Sequence, residues 1–428
     1  MTESCTIELF ADGHWTPVAS VSLLAAKEKG WKTPTFSGYD AAWAGDHGGA
    51  RDAWALCSAQ PVSLEPLELP HWPVFLVDTL PQGFGRRELL RRLKLPETME
   101  ASADWPLLLA GAANPIGHLR VQEAWKWLQE QNGATQGFTD EEIAGRSEEF
   151  IEYLSGHGLF VAGSSGVQGE WPKVLLTRAR NGLLYLDHTL PDALAQEHFI
   201  VKFGRGPSPD LARILHNEAP YMELARHLGL RVHAPLTLLK RSLFIPRFDR
   251  VTGADGVVRL AQESIATLTG RVGLEQVPSH DEVCRKLAAV ATDPFSEILE
   301  YIKRDIANLA LGNKDNHARN TAVQRRFDGY IGLTPLYDFA PMYLHPDGIA
   351  RRIRWQGNDG GSPNWAKVLD TVSAECGLDR AALRDELRKM APLLTNLVEY
   401  GKDAGVDTDI MDFLRLGISA QARALETL

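Results

Sequence analysis

The stretch from Ile302 to Phe339 constrains this chain more than any other, because it demands a helix, a polar loop and a hairpin in immediate succession. Ile302, Ile306, Leu309 and Ala310 recur at i, i+4, i+7 and i+8, which is one apolar face of a helix. Gly312-Asn313 supplies its stop. The loop then reads Lys314-Asp315-Asn316-His317-Ala318-Arg319-Asn320. Thr321 to Arg325 and Tyr330 to Leu333 predict two short strands, joined through the turn dipeptide Asp328-Gly329. Leu336-Tyr337-Asp338-Phe339 follows. A hairpin returns its two ends to one place. Asn320 precedes the first strand and Asp338 follows the second, so both should meet near Asp315.

Grouped in this way, two carboxylates and an amide suit phosphoryl transfer. One Asp accepts the proton of an attacking hydroxyl, while the Asn and the second Asp hold Mg²⁺ under the phosphates of ATP. The spacing from Asp315 to Asn320 fits a plain polar loop equally well, since Asp and Asn are common turn residues. The hairpin and Asp338 are what point to a site. His317 either faces the metal loop or a phosphate, or orders the loop by hydrogen bonds. Arg319 either neutralises phosphate charge or is solvated.

The 428 residues suffice for roughly two or three packing units. A formal net charge of −10 argues against a broad basic surface for bare nucleic acid. Cys5, Cys57, Cys284 and Cys376 lie far apart without a Cys-x-x-Cys pair, so free thiols are expected, not a zinc site or a disulfide frame. No apolar run approaches the roughly 18 residues of a membrane span. The acidic start Met1-Thr2-Glu3 lacks a signal-peptide core, and a cytoplasmic protein is expected.

Three regions are expected: 1–138, β-rich; 139–255, a small lobe with a Gly-rich loop; and 256–428, mostly helical. In the first, Ile7 to Phe10 and Val74 to Val77 read as strands among irregular loops, and Arg86 to Leu95 as a basic helix. Thr139 with Glu142 is a capping box opening a helix through about residue 155. In the second, Gly163-Ser164-Ser165-Gly166-Val167-Gln168-Gly169 precedes a strand from Lys173, and Asn181-Gly182 turns the chain into a partner strand. Lys202 sits in the period-2 strand His198 to Phe203. Asn217 is expected to cap a helix with Glu218 in its first turn and Tyr221, Leu224, Ala225 and Leu228 as its buried stripe.

The glycine loop is not a Walker A loop, because no Gly-Lys-Ser/Thr follows. It is either a plain turn or a cradle whose N–H groups reach phosphates. Lys202 is either an edge-strand lysine in solvent or a phosphate ligand paired with Glu218. Glu218 near a helix start is favoured by the dipole in any case.

Taken in order, these residues resemble the HipA family of bacterial serine/threonine kinases, the toxin halves of HipA–HipB toxin–antitoxin pairs. The marks are Leu80-Pro-Gln-Gly83, Asn114-Pro-Ile-Gly117-His-Leu-Arg120, Ser165-Gly-Val-Gln168, Phe199-Ile-Val-Lys202, Asn217-Glu218, Pro246-Arg-Phe-Asp249-Arg250, the Gly312 to Asn320 run and Leu333 to Asp338. The resemblance implies an α+β, protein-kinase-like two-lobed fold. It implies Asp315 as general base, and Asn320 and Asp338 on Mg²⁺. Lys202, Glu218, His317 and residues 163–168 would lie at ATP. It also implies silencing by autophosphorylation of Ser164 or Ser165, a HipB-like antitoxin, and a protein substrate of the aminoacyl-tRNA synthetase kind. Departures are the added Gly169-Glu170-Trp171, Gly163 where some members carry serine, and Leu260 to Ser264 in place of a His-x-Glu-Asp run. Two rival readings share the same residues: a catalytically silent nucleotide-binding regulator, and a small-molecule or lipid kinase.

Overall fold

Ser4–Ala11 (β1) and His14–Leu23 (β2) form an antiparallel hairpin. Asp12 and Gly13 turn it with φ of 51° and 82°, the two positive values that a tight hairpin turn requires. Thr35–Tyr39 (β3), Leu67–Leu69 (β4) and Leu119–Val121 (β5) complete a sheet of order β4-β3-β2-β1-β5. In this computed structural model residues 3–96, 101–131, 135–145, 171–204, 206–253, 256–273, 276–357 and 359–428 are described. The chain divides into two compact units. One comprises Met1–Arg205, Thr237–Glu263 and Arg325–Gly329; the other comprises Gly206–Leu236, Ser264–Gln324 and Tyr330–Leu428.

The first unit is more helical at its start than the sequence suggests. Val74 to Val77 belongs to the helix Val74–Asp78, not to a strand. Phe75, Leu76 and Val77 are all buried, and a four-residue apolar run carries no period that separates a strand from a helical turn. Pro73, with φ −52°, precedes the helix and fixes its entry. The basic helix forms as Gly83–Arg92. Thr139 and Glu142 make their capping box: Glu142 N–H donates to Thr139 Oγ1 at 3.2 Å, and Thr139 N–H to Glu142 Oε2 at 2.8 Å. That helix is described as Asp140–Gly145, and the rest of its expected span lies outside the described residues.

A second five-stranded antiparallel sheet holds Lys202. Its members are Lys173–Ala179 (β6), Leu184–Leu186 (β7), Ala195–Phe203 (β8), Thr237–Leu239 (β9) and Ser242–Pro246 (β10), in the order β7-β6-β8-β10-β9. Val174, Leu176, Val201, Phe203 and Phe244 bury one face against Phe138 and Ile143. The hairpin Arg250–Gly253 (β11) and Gly256–Arg259 (β12) follows.

The sheet joins the start of the chain through buried charge. Asp249 Oδ2 accepts from Gly117 N–H at 2.8 Å, Arg247 Nη2 at 2.7 Å and Arg250 Nη1 at 2.6 Å. Arg250 also donates to the carbonyls of Gly117 and Pro115. The segments 114–117 and 246–250, far apart in sequence, are therefore one structural lock. Arg247 and Arg250 together hold the Asp249 carboxyl well below the usual range despite its burial. Arg325 makes a second lock: it is buried, pairs with Glu263 at 3.1 Å and donates to the carbonyls of Ala55 and Leu56.

Ala261–Ser264 (β13) ends on Ser264, the first residue of the second unit's next segment, whose hydroxyl caps the helix Ile265–Thr269. Ala322–Arg325 (β14) and Ile331–Leu333 (β15) are the expected hairpin strands. The remainder is helical: His280–Val290, Pro294–Ala310 and, after residue 364, five helices from Trp365–Cys376 to Thr408–Glu426 among the described residues. The helix carrying Glu218 runs Pro209–His227, so Asn217 is interior and not its cap. Ser208 is the cap, with Pro209 in the first turn. Asn217 instead bridges Arg213 O and Asp407 N–H. The expected stripe Tyr221, Leu224, Ala225 and Leu228 is buried. All four cysteines are free. Among the described residues no helix is long and apolar enough to cross a membrane.

Candidate active site

The site is built at the C-terminal end of the helix Pro294–Ala310. Asp293 caps the start through Ser296 N–H at 3.1 Å. Ile298, Ile302, Ile306 and Ala310 are fully buried. Gly312 then turns the chain with φ 65°, and a Cβ there would lie 2.7 Å from the Tyr343 ring, so only glycine fits.

The loop after Gly312 is held by its own polar groups. Asp315 N–H donates to Asn313 Oδ1 at 3.3 Å, Asn320 N–H to His317 O at 2.9 Å and Arg319 N–H to His317 Nδ1 at 3.2 Å. Because Nδ1 accepts, the proton of the neutral imidazole sits on Nε2, which lies 3.7 Å from Asp315 Oδ1. Burial, more than the neighbouring Arg319 and Arg352, pushes the His317 pKa down against the pull of Asp315 and Asp338. Asn320 Nδ2 donates to Asp315 O at 2.9 Å, which leaves its Oδ1 as the group able to accept a cation. The loop's outer edge is pinned by Ala266 N–H on Ala318 O and Ile265 N–H on Thr321 O.

The hairpin brings the chain back. Thr334 N–H bonds Ala322 O, and Tyr337 Oη donates to Arg319 O at 2.9 Å. Asp338 adopts φ 53°, a left-handed conformation that aspartate tolerates better than most residues other than glycine. Phe339, next to it, is buried with its ring 5.7 Å from that of Tyr221. Asp315, Asn320 and Asp338 line one cavity, together with Asn308, Asn313, Asn316, Tyr301, His280 and Asp305. Of the residues singled out in sequence, this unit thus brings together Asp315, His317, Asn320 and Asp338. The Asp338 carboxylate and the Asn320 amide oxygen are hard donors, too few to cage a cation alone. That suits Mg²⁺, which keeps waters and takes further ligands from phosphates.

Glu218 is 1% exposed in the interior of its helix. Lys202, in the first unit, is 3% exposed. It faces Lys173 across β6 and Leu243 across β10, and its Nζ lies 5.2 Å from the Trp171 ring. Gly163, Ser164, Ser165, Gly166, Val167 and Gln168 lie outside the described residues.

One network at the cavity was not anticipated from sequence. Asp305 accepts from Arg351 Nη2 at 2.7 Å and from Trp355 Nε1 at 2.9 Å, and lies 3.3 Å from His280 Nε2. Burial pushes the Asp305 pKa up, but His280 and Arg351 hold it well below the usual carboxylate range. Asn316 binds the same segment: its Oδ1 accepts from Arg352 N–H at 2.7 Å and its Nδ2 donates to Ile353 O at 2.9 Å. An acid on the apolar face of a helix, as Asp305 is beside Ile302 and Ile306, was the available signal.

Residues 165–396 match the HipA-like C-terminal domain family model. The chain belongs to this HipA-like family. The Sinorhizobium fredii protein named "Putative kinase Y4mE" is 32% identical over 235 residues. That match covers 50% of this chain and 55% of the relative, so the chain spans about half the length of the curated relative it matches. Among solved structures, HipA of Shewanella oneidensis MR-1, in a toxin–antitoxin complex with HipB and operator DNA, aligns over 98% of this chain and 96% of its own. The TM-score is 0.66 at 18% identity. The fold is therefore HipA-like and α+β, as the sequence marks imply.

Proposed function

We propose that this HipA-family chain is an ATP- and Mg²⁺-dependent protein kinase acting on serine or threonine. The observation that carries the reading is the gathering of Asp315, Asn320 and Asp338 on one cavity. In this reading Asp315 accepts the proton of the acceptor hydroxyl as that oxygen forms its bond to the γ-phosphorus and the bond to the ADP oxygen breaks. Asn320 and Asp338 would hold Mg²⁺, which neutralises phosphate charge when bound. His317 presents its Nε2 3.7 Å from Asp315 Oδ1, close enough to bias the base electrostatically.

Lys202 is assigned to the ATP phosphates, with Glu218 as its expected partner and residues 163–168 as the covering loop. Lys173 lies directly opposite Lys202 across the sheet. Ser164 or Ser165 is the proposed self-modified position. The relative's kinase name and the solved HipA–HipB complex support a kinase with a HipB-like partner, and an aminoacyl-tRNA synthetase remains the proposed kind of substrate. The test is incubation with γ-labelled ATP and Mg²⁺. Label on serine or threonine of a protein sustains the proposal; label on a small molecule or none at all ends it.

A further inference from the structure

Asn316 stands between Asp315 and His317, and its buried side chain is bonded at three points to residues 352 and 353. Its Oδ1 accepts from Arg352 N–H at 2.7 Å and from Ile353 N–H at 3.3 Å, and its Nδ2 donates to Ile353 O at 2.9 Å. A side-chain amide offers a carbonyl and an N–H, as a peptide unit does. Asn316 therefore pairs with Ile353 much as a residue of a neighbouring strand would. The reverse orientation would set its NH₂ against two N–H donors, so the network itself fixes which end is oxygen.

The segment that Asn316 grips is anchored by two helices of the same unit. From Pro294–Ala310, Asp305 takes the Arg351 guanidinium at 2.7 Å and the Trp355 indole N–H at 2.9 Å. From His280–Val290, His280 N–H holds Arg354 O at 3.0 Å, and the His280 ring stacks on Trp355 with centroids 4.8 Å apart. Asp281 Oδ2 accepts from Gln356 N–H at 2.6 Å. The three bonds of Asn316 go to main-chain groups, so they do not depend on the arginine charges of this segment.

The loop that carries Asp315 is also tied near its two ends. Gly312 O accepts from Tyr343 N–H at 3.1 Å, and Ala318 O and Thr321 O accept from Ala266 and Ile265 N–H at 3.1 and 2.9 Å. The bonds from Asn320 to Asp315 O and His317 O fix the shape of the loop, but they travel with it and do not set its place. Asn316 sets that place from the middle of the loop. It is one peptide away from Asp315, with Cα atoms about 3.8 Å apart. A general base must lie within roughly 2.6–3.2 Å of the oxygen whose proton it takes, and a misplacement of about 1 Å can cost on the order of a hundredfold.

We propose that Asn316 is a positioning residue: by pairing with the main chain of 352 and 353 it sets where Asp315 stands relative to the acceptor hydroxyl. The role presupposes the kinase reading of Asp315. An asparagine that merely stabilised the unit would lower the folded fraction whatever stood at position 315. A positioning residue matters only while there is a base to place.

The test is a double-mutant cycle on rate. Wild type, Asn316→Ala, Asp315→Ala and the double variant are incubated with γ-labelled ATP, Mg²⁺ and dephosphorylated casein. Asn316→Ala should lower kcat about 10- to 100-fold and change the KM for ATP by less than about threefold, the pattern of an interaction that matters in the transition state. On the Asp315→Ala background the same substitution should lower the rate less than about twofold, because groups that act as a unit are not additive. Asn316→Asp is isosteric and keeps acceptors for both N–H groups. Its kcat should stay at least about threefold above that of Asn316→Ala, and it carries the cycle should the alanine variant fail to fold. Hydrogen exchange should quicken across 313–321 in Asn316→Ala and stay unchanged in the helix Trp365–Cys376. Equal losses on both backgrounds, a kcat within about twofold of wild type, or an Asn316→Asp no better than Asn316→Ala overturns the proposal. A wild type that labels neither casein nor itself ends the kinase reading. Exchange then decides the brace alone: faster exchange at 313–321 keeps it, and unchanged exchange removes it.

Discussion

Replacing Asp305 with Asn should destabilise the second unit by about 3 kcal/mol. Asp305 is 2% exposed and takes the Arg351 guanidinium, the Trp355 indole and the side of His280. Asparagine preserves the shape, and its oxygen can still accept from Trp355. What it removes is the charge opposite a buried arginine. Breaking a buried pair on one side typically costs about 3–5 kcal/mol. The lower end applies because Arg351 keeps Asp359. About 3 kcal/mol is roughly two decades in the folded-to-unfolded ratio and a large share of typical stability. Guanidinium denaturation measures the global cost, and hydrogen exchange on a peptide spanning 349–357 measures the local one. A double-mutant cycle of Asp305→Asn with Arg351→Met should show a coupling of about 1–3 kcal/mol between the two positions. A single variant within about 0.5 kcal/mol of wild type, or strictly additive changes, would refute the reasoning.

Three further outcomes are expected. Asp338→Asn keeps a residue type that tolerates φ 53° but removes an anionic oxygen; calorimetry should show Mg²⁺-ATP binding weakened more than Mg²⁺-free nucleotide binding, and equal losses would make Asp338 structural. His118 is buried and donates to Ala53 O, and burial followed by Arg325 pushes its pKa down from 6.5 to about 3. The unfolded chain therefore binds the extra proton between those values, and stability should fall as pH drops below 6.5 by up to about 1.4 kcal/mol per unit; His118→Gln should flatten that slope by one proton, and parallel curves would exclude it. Finally, incubation with Mg²⁺-ATP should place phosphate on Ser164 or Ser165, adding a charge of about −1.5 to −2 beside the ATP phosphates. Peptide mass spectrometry finding neither serine modified while another protein is phosphorylated would dismiss self-silencing.

Local signals made the candidate site legible. The 3.6-residue period through Ile302, Ile306 and Ala310, the stop at Gly312 and the Asp328-Gly329 turn fixed helix, loop and hairpin, and a hairpin must reunite its ends. The Thr139–Glu142 box was equally readable because both partners lie within one turn. Asn217-Glu218 before Pro220 imitated a helix start, while Ser208-Pro209-Asp210 carried the same chemistry nine residues earlier and prevailed. The Asp305 and Asp249 networks were not legible. Their partners at 280, 351 and 355, and at 117, 247 and 250, are either far away in sequence or meaningful only once buried. Local propensity says nothing about which distant charge will meet which.

The central claim is that Asp315 serves as base in transfer from ATP to a protein hydroxyl. The most direct measurement compares wild type with Asp315→Ala under γ-labelled ATP and Mg²⁺, alongside nucleotide binding. Wild type should label serine or threonine of a protein. Asp315→Ala should lose about 10²–10⁴-fold in rate while still binding ATP. A variant that keeps more than about a third of wild-type transfer, far above what loss of a general base allows, would contradict the account.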